Sequence, residues 1–229
     1  HQQPTTEQLL AENALLRRVC AHSKEIIARH ELFLREGDHR IKNSLQIVSS
    51  MMSLQERREP NPAAREALRV ASARILAVAR IHDALQLNGG KNIVDLGNLV
   101  MTMCDSLQVM AGDPRLMKID AQVEPIEAPL TLAQPVVLAI NELVMNALRH
   151  AFPEERGGAV HVSLALDGGQ VRIVVADNGV GLPENYRESH GYGMKLVEMM
   201  AAKIGGALRI DSDAGTRFTI LAPLALAAA

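Results

Sequence analysis

Aromatic side chains are nearly absent: they make up 2% of the 229 residues, with two Tyr, three Phe and no Trp. Any core must then be assembled from Leu, Ile, Val, Ala and Met, a mix that suits helices and helix–helix seams. Cysteine is also scarce. Cys20 and Cys104 lie far apart and form no metal-ligand pattern, so they read as free thiols of a reducing cytoplasm rather than a zinc site or a disulfide framework. No excess of positive charge is present: Lys+Arg total 24 against Asp+Glu 26, a formal net charge of -2. A nucleic-acid partner, which needs a basic surface, is not expected. No apolar run looks long enough to span a bilayer, and the N-terminus lacks a signal-peptide pattern, so a soluble, cytoplasmic chain is expected. The opening HQQPTTEQLL does not resemble a natural start, and an upstream region is expected before it.

What the chain does have is 48% hydrophobic residues, in two halves of different periodicity. From Thr5 to about Arg58 there is no Pro and one Gly, Gly37. Leu9, Leu16, Val19, Ile26 and Phe33 recur at helical spacing in a run long enough for a coiled coil. Pro60-Asn61-Pro62 stops it. A second helix is predicted from about Ala63 to Leu87, with Ala64, Leu68, Ala71, Ile75, Val78, His82 and Leu85 as its a/d seam. Two long helices joined by a short turn make an antiparallel hairpin, and two hairpins can close a four-helix bundle in a homodimer. After Asn88-Gly89-Gly90 the pattern changes. Helices are predicted at 96–110, 132–151 and 194–204, and strands at 116–123, 160–166, 171–176, 208–210 and 217–221. Asp167-Gly168-Gly169 marks a hairpin. Strands with helices on one side predict an α/β sandwich, and the chain as a whole an α+β protein.

At about 100° per residue, Leu34, Ile41, Leu45, Val48 and Met52 share one face of the first helix. His39, Asn43, Gln46 and Ser50 fall on the other. His39 is therefore predicted to face solvent, where an imidazole nitrogen is open to phosphorylation. Asp38 beside it suits fixing the ring tautomer or taking its proton. Gly37 costs about 1 kcal/mol relative to Ala in a helix, which suggests a bend or a close approach there. His39 alone is also what an ordinary surface histidine looks like.

Four segments of the second half belong together. Asn141-Glu142-Leu143-Val144-Met145-Asn146 opens a polar face carrying Glu142, Asn146, Arg149 and His150, the oxygen donors and cations that Mg2+-triphosphate takes. Asp177-Asn178-Gly179-Val180-Gly181 puts an acid at a strand end before two glycines, suited to an exocyclic amine and a close backbone approach. Gly191-Tyr192-Gly193-Met194 is a glycine loop opening a helix, where free N–H groups suit phosphate. Gly215-Thr216 turns into a strand. Singly, these read equally well as a solvated charged face, an Asx turn and two glycine turns.

In this order and context, Glu-x-x-x-Asn-Ala, Asp-x-Gly-x-Gly, Gly-x-Gly and Gly-Thr resemble the N, G1, G2 and G3 boxes of the GHKL ATPases. The resemblance implies ATP under a lid at about 182–190, with Asn146 on Mg2+ and Asp177 reading the adenine amine. It implies that Gly179 and Gly181 shape the pocket, and that Gly191, Tyr192, Gly193, Met194 and Thr216 lie along the nucleotide. Glu142 would act on the metal's water shell or in proton transfer. Asn141, Arg149 and His150 would complete the site. Asp38-His39-Arg40-Ile41-Lys42-Asn43 and Arg80-Ile81-His82-Asp83-Ala84-Leu85 resemble sensor histidine kinases of the HWE-related, second HisKA dimerisation class. True HWE members carry His where Asn141 stands, and a Trp-x-Glu motif that this chain lacks. The implied organisation is a signalling helix at 1–30, a dimerisation and phosphotransfer hairpin at 31–90 and an ATP-binding domain at 91–229. The implied activity is autophosphorylation of His39 and transfer to an aspartate of a response-regulator receiver domain, under control of an upstream sensor domain. Asn43, one turn after His39, lies where other families place a phosphatase residue.

Overall fold

The computed structural model describes residues 22–26, 36–37, 40–41, 43–87, 92–153, 157–183, 186 and 192–224. Asp38, His39, Gly191, most of the expected lid and the helix expected before residue 22 lie outside them, as does the side chain of His82. The chain divides by its contacts after Ser44.

In the first unit the described residues are helical. Arg40 and Glu36 pair at 2.7 Å across one exposed turn, an arrangement worth little in water. Ser44 Oγ donates to the Arg40 carbonyl at 2.8 Å, and Asn43 is exposed. A Cβ on Gly37 would meet nothing within 4 Å, so a close approach does not explain that glycine. Ile41, placed by periodicity on the packed face, is exposed.

The second unit opens with a helix at 45–58 (α1), followed by α2 (Pro62–Leu87). Asn61 caps α2, its Oδ1 accepting from Ala63 N at 2.9 Å, as expected of Asn before a Pro at the first helical position. There follow β1 (Ile93–Asp95), α3 (Leu96–Ala111), β2 (Met117–Val123), β3 (Glu127–Pro129), α4 (Leu130–His150), β4 (Gly158–Asp167), β5 (Gln170–Asp177), α5 (Tyr192–Lys203), β6 (Ala207–Asp211) and β7 (Thr216–Pro223). The main sheet runs β2-β4-β5-β7-β6, with β2 and β4 parallel and the other pairs antiparallel. The strands β1 and β3 form a separate two-stranded sheet.

Burial alternates along the central strands. Val160, Val162 and Leu164 of β4 and Phe218, Ile220 and Ala222 of β7 point into the core, where α3, α4 and α5 cover one face. The period of two makes this a sheet with one packed face. Gln108 fixes α3 to the edge strand, its amide donating to the Met117 carbonyl at 2.9 Å and its Oε1 accepting from Ile119 N at 2.7 Å.

The core helix α4 is buried along most of its length. Its 21 residues have an apolar window of mean hydropathy 1.3, so it is long and apolar enough to cross a membrane, contrary to the expectation that no run is. The fold buries 72% of that window. Ile140 on this helix is 0% exposed. Replacing it with alanine is expected to cost about 2–5 kcal/mol, read as a drop in the urea midpoint at constant slope. A shift worth under about 1 kcal/mol would mean that the site collapses around the void.

Packing on α2 differs from the predicted seam. Ala64, Leu68, Ala71, Ile75 and Val78 are half-buried, whereas Val70, Ala73, Ala77 and Ile81 join the core of α3 and α4. A heptad reading favours the row of largest apolar residues, but close approach to α4 takes the row with small ones. On another side of α2, Ser72 meets the buried Ser49 of α1 at 3.0 Å. Val48, expected to pack, is exposed, as are Ile47, Met51 and Leu54.

Candidate functional site

Asp177 is the last residue of β5, on the inner row with Ile173 and Val175 and in register with Thr216 of β7. Its Oδ1 accepts from Gly179 N at 2.9 Å and from Thr216 N at 3.2 Å. One carboxylate oxygen thus holds two glycine turns in place, and Oδ2 takes neither bond. Asp177, Gly215 and Thr216, with Asp211 and Asp213, line a cavity of about 150 Å3. The turns need glycine for two reasons. A Cβ on Gly215 (φ +96) would lie 2.0 Å from the Asp177 carbonyl, and one on Gly179 would lie 2.2 Å from the carbonyl of Ala151, just past α4. Gly181 takes φ +79, a conformation that L side chains rarely adopt. Ser212 Oγ joins the loops, accepting from Leu182 N at 2.9 Å and donating to the Gly215 carbonyl at 3.3 Å.

The second cluster lies where α4 meets the start of α5. A Cβ on Gly193 would stand 3.1 Å from Glu142 Oε2 and 3.5 Å from Asn146 Oδ1, so the glycine-bearing turn rests on these two side chains. Met194 is buried and Tyr192 exposed. Asn146 is half-buried, and Asn141 and Glu142 are each 1% exposed. The Nδ2 of Asn141 has no hydrogen-bond partner among the described residues.

Glu142 is held rather than open. Arg74 of α2 donates from Nε to its Oε1 at 2.5 Å and from Nη2 to its Oε2 at 2.6 Å. The hydrogen bond to Glu142, more than its charge, raises the Arg74 pKa above the ordinary value. Arg149 pairs with Glu66 of α2 at 2.9 Å. Desolvation, then the Arg149 charge, lowers the pKa of His150. Both effects favour the neutral ring over the cation.

The structure thus gathers Glu142, Asn146 and Gly193 at one junction, and Asp177, Gly179, Gly181 and Thr216 at another. Asn43 lies in the first unit. Sequence reasoning missed Arg74, Glu66 and Ser212. Arg74 carried one faint signal, a charged residue in an otherwise apolar stretch of α2.

Donor chemistry fits a nucleotide. Asp177 offers an acid at the wall of a cavity that the Gly215 turn also lines. Asn146 supplies an amide oxygen of the hard type that Mg2+ accepts alongside phosphate and water. Among the described residues no group of three or more His, Cys, Asp or Glu could hold a metal by itself.

Two family models match the chain: a histidine kinase model, HisKA_2, over residues 36–111, and the histidine kinase-, DNA gyrase B- and HSP90-like ATPase model over residues 131–226. The sensor histidine kinase PdtaS of Mycobacterium tuberculosis is 30% identical over 197 residues, covering 83% of this chain and 39% of PdtaS. The blue-light-activated histidine kinase 2 of Erythrobacter litoralis is 26% identical over 199 residues, covering 83% of this chain and 57% of that protein. The chain therefore spans only part of the length of these relatives. The histidine kinase domain of an Erythrobacter litoralis blue-light-activated kinase superposes with a TM-score of 0.65 at 21% identity, over 82% of this chain and 94% of that one, a likeness of fold. With both family models matched in order, over residues 36–111 and 131–226, the chain belongs to the histidine kinases and carries their nucleotide-binding ATPase domain.

Proposed function

We propose that this chain is the kinase core of a two-component sensor, which binds Mg-ATP and phosphorylates its own His39. The observation that carries the reading is the double anchoring of the two glycine turns by Asp177 Oδ1, which leaves the other oxygen for an adenine amine. Asn146 would hold Mg2+, with Glu142 on its water shell or in proton transfer. Gly191, Tyr192, Gly193 and Met194 would border the phosphates, with Arg149 and His150 at their edge and Asn141 behind them. Bound Mg2+ supplies charge neutralisation on the triphosphate.

The neutral imidazole of His39 attacks the γ-phosphorus in line. The new N–P bond forms as the bond to the bridging oxygen breaks, and that electron pair leaves with ADP. The ring then sheds its remaining N–H proton to a carboxylate, for which Asp38 is adjacent in sequence. The phosphoryl group would next pass to an aspartate of a response-regulator receiver domain, and Asn43 suits orienting water for hydrolysis of that phosphoaspartate to inorganic phosphate. We read the organisation as a signalling helix at 1–30, a homodimerising hairpin at 31–90 and the ATP-binding domain at 91–229, downstream of a sensor domain and in the cytoplasm.

The test is incubation with labelled ATP and Mg2+, followed by acid treatment. Label that survives alkali and is lost in acid is expected, because phosphohistidine is an acid-labile phosphoramidate. Hydrolysis of ATP with no label on the protein would instead make this an ATPase that drives shape change.

A further inference from the structure

A carboxylate with both oxygens held by a guanidinium is less free to serve a nucleotide. Glu142 is 1% exposed, and Arg74 occupies both of its oxygens. The same guanidinium lies 5.4 Å above the ring of Tyr192, the first residue of α5. About two turns away, Glu66 holds Arg149 at 2.9 Å. The pairs 66–149 and 74–142 run in opposite directions along α2 and α4, so two ion pairs pin the helices antiparallel across the buried Val70 and Ala73. The Arg74–Glu142 bonds are fork-to-fork, the strong class, and burial of the carboxylate strengthens them, whereas Glu66 is partly exposed and is shared with Arg69 of its own helix.

We propose that Arg74 and Glu66 form a latch that holds α2 on α4 in a resting state. Glu142 is withheld from the nucleotide until the latch opens. This rests on the reading that Glu142 serves the bound nucleotide. Stripping Arg74 away leaves a buried charge that needs a new partner, and a metal-loaded triphosphate meets that need. A displacement of α2 by an incoming signal then reaches the N-box carboxylate through a single side chain. It also frees Tyr192 at the head of α5 in the same motion. Arg74 in this account is a positioning residue, since it touches the site only through Glu142 and Tyr192.

The test compares initial rates of labelling at saturating Mg-ATP for the 229-residue chain and its variants. Arg74→Met is expected to speed labelling about tenfold, a usual size for coupling between sites. Glu66→Gln, which loosens the helices but leaves the buried pair intact, is expected to speed it roughly threefold, as for a partly exposed ion pair. Glu142→Gln is expected to slow labelling, and Arg74→Met/Glu142→Gln to be as slow as Glu142→Gln alone. If Glu142→Gln labels like wild type, the role given to Glu142 is wrong and the latch falls with it. If Glu142→Gln is slow but Arg74→Met and Glu66→Gln are no faster than wild type, the latch alone is overturned. Should Arg74→Met fail to fold, Glu66→Gln decides.

Discussion

Replacing His39 with glutamine is expected to remove acid-labile label from the protein, to below about a hundredth of the wild-type rate, because the covalent acceptor is gone. Glutamine keeps hydrogen-bonding capacity and similar bulk. Its amide nitrogen, however, has its lone pair delocalised into the carbonyl and cannot attack phosphorus. The affinity for a fluorescent ATP analogue is expected to stay within about twofold of wild type, since the substitution changes none of the side chains that the reading places on the bound nucleotide. Label retained at wild-type rate in this variant would place the acceptor elsewhere, and loss of label together with loss of nucleotide affinity would point to a folding defect.

Asp177→Asn is expected to lower nucleotide affinity by about ten- to a hundredfold with little change in thermal midpoint. The reason is the division of labour within one side chain. Oδ1 accepts from Gly179 N and Thr216 N, and an asparagine oxygen can keep both bonds. The other atom becomes an amide donor, which opposes an adenine amine instead of accepting from it, and a mispaired buried polar contact costs about 1–3 kcal/mol. At about 1.4 kcal/mol per decade, that gives the range. Asp177→Ala should lose both functions, so its midpoint should fall as well. Calorimetric titration with an ATP analogue, beside a melting curve for each variant, separates these outcomes. An unchanged affinity in Asp177→Asn would remove the acid from adenine recognition.

The sheet was legible because its signals are local. Asp167-Gly168-Gly169 lies between two apolar alternating runs, and the β4–β5 hairpin forms there with both glycines at positive φ. The glycine-box segments were legible for the same reason, each being a short string with its own turn chemistry. β1 and β3 were not foreseen, since three residues are too few to show a period. The face of α2 that packs on α4 was misjudged because Ala73 and Ala77 are weak hydrophobic signals whose value is in allowing close approach. The exposure of Ile41 and Val48 was missed because apolar character cannot say whether a partner is present. The charge of Arg74 in an apolar stretch was too faint to mark a site residue, because its partner lies 68 positions away and no periodicity links them.

Cys104 on α3 has a use of its own. The thiol is 3% exposed, and burial, with a smaller push from Asp105, raises its pKa to about 12. Near neutrality almost none of it is thiolate, the form that alkylating reagents attack. Modification of this residue, told apart from Cys20 by peptide mapping, then proceeds only as fast as the nucleotide-binding half opens. It is a built-in clock for transient unfolding, and ATP should slow it in proportion to how tightly the folded state is held.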